Sequence, residues 1–109
     1  MSDNVTVSAA DFARLARQAF ERAGLKPQRA EAAARVLVDA ELMGISTHGA
    51  ARLVSYCRRM QEGSINAAAD ITVERRAASL GLVDGGNGLG TAVAAEALGL
   101  VLSMVEDAG

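Results

Sequence analysis

Apolar residues recur at helical spacing from Phe12 through Leu15, Ala16, Ala19 and Phe20 to Ala23, and the stripe stops at Gly24. Ser8 and Asp11 stand ahead of it as a cap, with the acid near the positive end of the helix dipole. Pro27, the only proline, suits the first turn of a second helix. That helix runs toward Met43 and buries Ala33, Leu37 and Ala40 before Gly44 ends it. A third helix is expected from Thr47 or His48 to Gln61, with Gly63 as its breaker.

The period then changes. Ile71-Thr72-Val73-Glu74-Arg75 alternates apolar and polar residues, the pattern of a half-buried strand. Ala78 to Asp84 reads as its hairpin partner, with the turn near Arg76 and Ala77. After Gly85-Gly86-Asn87-Gly88-Leu89-Gly90 comes a helical segment from Thr91 to Asp107. Its expected buried stripe is Ala94, Ala97, Leu98, Val101, Leu102 and Val105. The fold class is therefore α+β: a helical segment over residues 1–63, then a β-hairpin and a long helix over 64–109 that begin a larger α/β domain. Two strands and one helix do not close a sheet, and an isolated hairpin has little stability in water.

Composition agrees with one domain at most, or a piece of one. Of the 109 residues, 50% are hydrophobic but only 3% aromatic, so any core is built mainly from Ala, Leu and Val. Such an interior lets helices approach closely but fills volume weakly, and assembly with more protein is expected. A net charge of −2 leaves no basic footprint for nucleic acid, since Arg58-Arg59 and Arg75-Arg76 are only short pairs. The stretch from Thr91 to Val105 is short for a membrane span and is interrupted by Glu96. The start of the chain lacks the basic and apolar regions of a signal peptide, and Cys57 has no partner for a disulfide. A cytoplasmic location is expected.

Several chemistries can be weighed by spacing. The glycines at 85, 86, 88 and 90 do not give the G-x-G-x-x-G of a dinucleotide fold, and no Lys-Ser/Thr follows to make a P-loop. The loop reads instead as a tight strand-to-helix turn with Asn87 at positive φ and Asp84 as a turn or cap residue. No metal site is expected from one His and one Cys, and no G-x-S-x-G nucleophile motif occurs. Cys57, among apolar neighbours, reads as packing.

His48 is the only histidine. A lone histidine at a helix start is commonly a structural residue, but its neighbours strengthen a chemical role. On a continuous helix His48, Arg52, Tyr56 and Arg59 would form one polar stripe. Arg52 can grip a carboxylate through two parallel hydrogen bonds, and Tyr56 adds a phenolic donor one turn on. The competing reading is an ordinary solvated helix face.

The order Asp39-x-x-x-x-Gly44, Ser46-Thr47-His48-Gly49-x-x-Arg52-Leu53-x-x-Tyr56, Glu62-Gly63-x-Ile65, Val83-Asp84-Gly85 and Gly88-x-Gly90 resembles the first part of the malate/L-lactate dehydrogenase family. This family does not use a Rossmann domain, and it includes ureidoglycolate and sulfolactate dehydrogenases and cyclic-imino-acid reductases. The resemblance implies hydride transfer between NAD or NADP and C2 of a small 2-hydroxy or 2-oxo acid, typically in a homodimer. It implies His48 as proton donor and acceptor, Arg52 as carboxylate clamp, and Thr47 and Tyr56 as supporting polar contacts. Members of the family are much longer and build most of the nicotinamide site from later segments, so no cofactor-binding residue is carried over. An isolated chain of this length is expected to be inactive. The alternative is a non-catalytic helical dimerisation or interaction module.

Overall fold

The computed structural model describes residues 5–108. Helix α1 spans Ala9–Arg22, and the Ser8 hydroxyl accepts the Asp11 N–H at 3.0 Å, satisfying a donor the first helical turn would otherwise leave free. Helix α2 spans Pro27–Leu42, with Pro27 in its first turn. A single 3₁₀ turn, Ser46–His48, precedes helix α3, Ala51–Glu62. Strands β1 (Thr72–Ala77) and β2 (Leu80–Asp84) pair antiparallel, and helix α4 spans Gly90–Ala108. The α+β class and the order of elements match the sequence expectation.

Two boundaries and one burial pattern differ from it. The third helix begins at Ala51 rather than at Thr47 or His48, for reasons that lie in the candidate site. The hairpin turns at Ala78-Ser79, two residues later than expected, because Ala77 still pairs with Leu80 across an irregularity at Arg76. Every residue of β1 is exposed, so it is not the half-buried strand its alternation suggests.

The core lies between α1 and α2. Ala16, Phe20, Ala30, Ala33, Ala34 and Leu37 interlock there, and the small residues let the helices come together around Phe20 and Leu37. Each of those two side chains is fully buried, which is worth about 1.5–3 kcal/mol apiece. Leu53, Tyr56 and Cys57 of α3 pack on the edge of this cluster, and Leu89, just before α4, and Ala92, in its first turn, join it. Leu15 belongs to the expected α1 stripe but is 58% exposed.

Both α1 and α2 end in the same way. In α2 the Gly44 N–H reaches the Glu41 carbonyl at 3.0 Å and the Ile45 N–H reaches the Ala40 carbonyl at 2.8 Å. This is a Schellman termination, which needs a left-handed residue just past the helix, and Gly44 supplies it at φ 77°.

Arg29 joins the two halves of the molecule. From α2 its Nε donates to Glu96 of α4 at 2.9 Å, and its Nη1 donates to the Ala69 carbonyl at 2.6 Å. The Gly-rich turn is tied to the same region. Gly88 N–H donates to the Gly85 carbonyl at 2.9 Å, with φ of 56° at Gly86 and 61° at Asn87, the signs of a type I′ turn. Asn87 Nδ2 then donates to the Ser64 carbonyl at 3.1 Å, and Asn66 N–H donates to the Asn87 carbonyl at 2.8 Å.

Helix α4 departs most from expectation. Leu98, Val101, Leu102 and Val105 were expected in its buried stripe, yet each is more than half exposed. The helix seats itself through Ala92 and Met104 instead, and the β2 backbone at Gly81 lies against Leu100 and Met104. An apolar period marks a face that can be buried, not one that the described residues cover. The outline is extended, 55 × 31 × 21 Å, with a radius of gyration of 15.6 Å against about 13 Å for a compact domain of this length.

Candidate functional site

The segment between α2 and α3 carries Thr47, His48 and Arg52. It leaves the Schellman end of α2, makes one 3₁₀ turn and enters α3 at Ala51. Ala50, at the N-cap of α3, has no side chain able to accept from the first helical amides. The acceptor comes from another helix: the Glu41 carboxylate receives the Ala50 N–H at 2.8 Å. Gly49 is buried against that carboxylate, and a Cβ at position 49 would fall on the Glu41 side chain. The close approach holds the chain out of helical geometry at residue 49, so α3 cannot extend back to His48.

The expected stripe is thereby split. Arg52, Tyr56 and Arg59 lie on α3, while His48 sits on the preceding turn. Hydrogen bonds restore the link. Arg52 Nε donates to the Thr47 carbonyl at 2.8 Å, and the Thr47 hydroxyl lies 3.0 Å from His48 Nδ1. Thr47, His48 and Arg52 thus form one connected group.

The free ends of this group are the chemically useful ones. With Nδ1 engaged by Thr47, His48 has Nε2 left for an external partner, and both His48 and Thr47 are exposed. With Nε spent on the backbone, Arg52 keeps its two terminal nitrogens, which find no hydrogen-bond partner among the described residues. A guanidinium oriented at its root presents a fixed fork suited to a carboxylate. Tyr56 stands one turn further along α3 but is half-buried against the core, so its ring is packing as well as a polar tip.

Cys57 packs on the same core edge, and burial pushes its thiol above the usual range. That keeps it neutral and poorly nucleophilic. A concavity of about 630 Å³ lies between the hairpin and α4, lined by Leu80, Val83, Leu100, Val101 and Met104 but not by His48, Arg52 or Tyr56. Among the described residues no three of His, Cys, Asp and Glu converge as metal ligands, and no helix is long and apolar enough to cross a membrane.

Two amides of the Gly-rich turn are already engaged within the turn itself. Its Gly88 amide is taken by the Gly85 carbonyl, and its Gly86 amide donates to the Asp84 carboxylate at 2.9 Å. A phosphate cradle needs such amides free.

A model of the family described as malate/L-lactate dehydrogenase matches residues 7–109. The chain belongs to the malate/L-lactate dehydrogenase family. Within that family it is 28% identical over 103 residues to L-sulfolactate dehydrogenase of Methanothermobacter thermautotrophicus, a match covering 94% of this chain and 30% of that protein. It is 37% identical over 83 residues to the (2R)-3-sulfolactate dehydrogenase (NADP(+)) of Chromohalobacter salexigens, covering 76% of this chain and 25% of that one. The solved malate dehydrogenase of Pyrococcus horikoshii superposes with a TM-score of 0.90 at 28% identity, over 96% of this chain and 30% of that chain. The chain thus spans roughly a third or less of the length of the malate/L-lactate dehydrogenases it matches.

Glu41 is the residue that sequence reasoning passed over. The sequence carries only part of its signal, a carboxylate at the end of one helix followed by a glycine-bounded turn; that the next helix starts on an unassisted alanine is seen only in the structure.

Proposed function

We propose that this chain is the N-terminal, substrate-gripping portion of an NAD- or NADP-dependent 2-hydroxy-acid dehydrogenase, in which residues 1–63 carry the substrate contacts and residues 64–109 begin the sheet domain. The reaction class is hydride exchange at C2 of a small 2-hydroxy or 2-oxo acid. The single observation that carries this reading is the bonded Thr47–His48–Arg52 group with its outward imidazole nitrogen and guanidinium fork.

Arg52 holds the substrate carboxylate through its two terminal nitrogens, which fixes C2 and its oxygen relative to His48. His48 exchanges a proton with that oxygen at Nε2: it donates when a carbonyl is reduced and accepts when a hydroxyl is oxidised. The Thr47 hydroxyl lies 3.0 Å from Nδ1, and in this reading it takes the Nδ1–H, which leaves Nε2 to exchange the proton in both directions. Tyr56 supports the carboxylate end of the site. The dinucleotide itself is assigned to none of the described residues, because the glycines at 85, 86, 88 and 90 lack the dinucleotide spacing and the Gly86 and Gly88 amides are engaged within the turn. The relative named for NADP(+) supports a nicotinamide cofactor of either kind. The enzyme form is proposed to be a cytoplasmic homodimer.

A second reading, a non-catalytic helical interaction module, is favoured by the exposed Leu98, Val101, Leu102 and Val105 of α4. The test separates the two. The 109-residue chain, assayed with NADH or NADPH plus pyruvate, oxaloacetate or a cyclic imine, is expected to show no turnover, and robust turnover by it alone would overturn the assignment of the cofactor elsewhere. In a full-length form carrying this segment, His48→Ala should abolish turnover and Arg52→Ala should raise KM. Unchanged kinetics in both variants would favour the interaction module.

A further inference from the structure

Glu41 lies outside the Thr47-His48-Gly49-x-x-Arg52 pattern, yet the turn is built around it. Its main-chain carbonyl accepts the Gly44 N–H at 3.0 Å, on the way into the segment. Its carboxylate accepts the Ala50 N–H at 2.8 Å, on the way out. Residues 44 to 50 therefore leave and return to one residue, by its main chain at one end and its carboxylate at the other. The next backbone unit after this closure begins α3, whose second residue, Arg52, reaches back to the Thr47 carbonyl.

We propose that Glu41 is a positioning residue for the His48–Arg52 pair, acting by closing the turn onto the α3 N-terminus, and that Gly49 is glycine because the carboxylate occupies the space of a Cβ. The proposal rests on the function assigned above, in that the pair is taken to face substrate. Physically, a carboxylate at the start of α3 both fills an amide left without a partner and sits at the positive end of the helix. Losing it frees Ala50, and with it the angle at which Arg52 leaves the helix. The Gly49 contacts run along the Glu41 side chain from Cγ to the carboxylate and include no backbone atom, so a methyl there must push that side chain aside. Gly49→Ala and Glu41→Ala should therefore produce the same local defect by different routes.

The experiment uses the 109-residue chain and amide nitrogen NMR. Two probes report the turn: exchange of the Ala50 N–H and the Arg52 Nε–H cross-peak. Two others, the Phe20 and Leu37 amides, report the α1–α2 core. Glu41→Ala should raise exchange at Ala50 about tenfold and shift or broaden the Arg52 Nε–H signal, with Phe20 and Leu37 unmoved. Glu41→Gln keeps an acceptor oxygen and should retain both signals near their original positions. Gly49→Ala should reproduce the Glu41→Ala spectrum, and adding it to Glu41→Ala should add little further. Protection of Ala50 and Arg52 that survives Glu41→Ala would overturn the proposal, as would full additivity of the two alanine variants. A turn that loosens as described while His48→Ala remains active in a full-length form would instead overturn the functional reading and leave the role of Glu41 in the turn intact.

Discussion

Arg29→Ala should be among the most destabilising changes outside the apolar core, although Arg29 touches neither His48 nor Arg52. Its side chain is 14% exposed, and it serves two acceptors on two elements, Glu96 of α4 and the carbonyl of Ala69. The carbonyl bond is the larger contribution. Ala69 is 2% exposed, and a hydrogen bond from a charged donor is worth about 1.5–3 kcal/mol. The ion pair is worth less, because Glu96 is 37% exposed and rehydrates once abandoned, so about 0.5–1 kcal/mol is reasonable after screening. Together they give a loss of about 2–4 kcal/mol, or a fall of about 1–2 M in the urea midpoint for a chain of this size. Arg29→Lys should recover only part of this, since one ammonium does not reproduce a planar fork reaching two acceptors. Glu96→Gln keeps an oxygen for Nε and should cost the least. Urea titration of the three variants, followed by circular dichroism, gives the ranking. A midpoint shift under about 0.3 M for Arg29→Ala would refute the reasoning, as would a Glu96→Gln loss equal to it.

Phe20→Ala removes a ring with no exposed surface and should cost about 3–5 kcal/mol, read as a drop in thermal midpoint; a loss below about 1 kcal/mol would mean that α1 and α2 close over the gap. Asn87→Gly keeps the left-handed turn and loses only the bond to the Ser64 carbonyl, whereas Asn87→Ala adds about 1–2 kcal/mol of backbone cost. Equal urea midpoints for those two variants would contradict the turn assignment. Cys57 has its thiol pushed up by burial, so the reactive thiolate forms only at higher pH in the folded chain than in the unfolded one. Alkylation by iodoacetamide near pH 8 should be slower folded than in denaturant, and equal rates would show that the thiol is not shielded.

Much of this was legible in the residues themselves. Ser8, Pro27, Gly24, Gly44 and Gly63 punctuate the helices by local chemistry, and Asn87 in a run of glycines announces a left-handed turn. What failed was anything that depended on a distant neighbour. The start of α3 is decided by Glu41 reaching across from α2, ten positions before α3 begins. The Arg29 contacts bridge α2 to α4 and have no sequence signature at all. The stripe of α4 was read correctly as apolar and wrongly as buried, because periodicity reports what a face prefers, not what covers it. In the candidate site the residue types were legible, but their linkage through Thr47 was not. The stripe drawn on a helix is in fact a turn and a helix, joined by the bond from Arg52 Nε to the Thr47 carbonyl, with His48 tied to Thr47 inside the turn.

The extended outline has a consequence in surface area. A folded monomer of 11.2 kDa exposes about 5,700 Å², by the scaling of accessible area with mass. This chain exposes 7339 Å², an excess of about 1,600 Å². A standard stable interface takes about 800 Å² from each partner, so the excess on this one chain is about twice one partner's share. Folding of these residues leaves that much hydration in place. The exposed apolar side chains that contribute to it are spread over α1, α2, α3, the hairpin and α4, from Leu15 and Leu42 through Val54 to Leu82 and Val105.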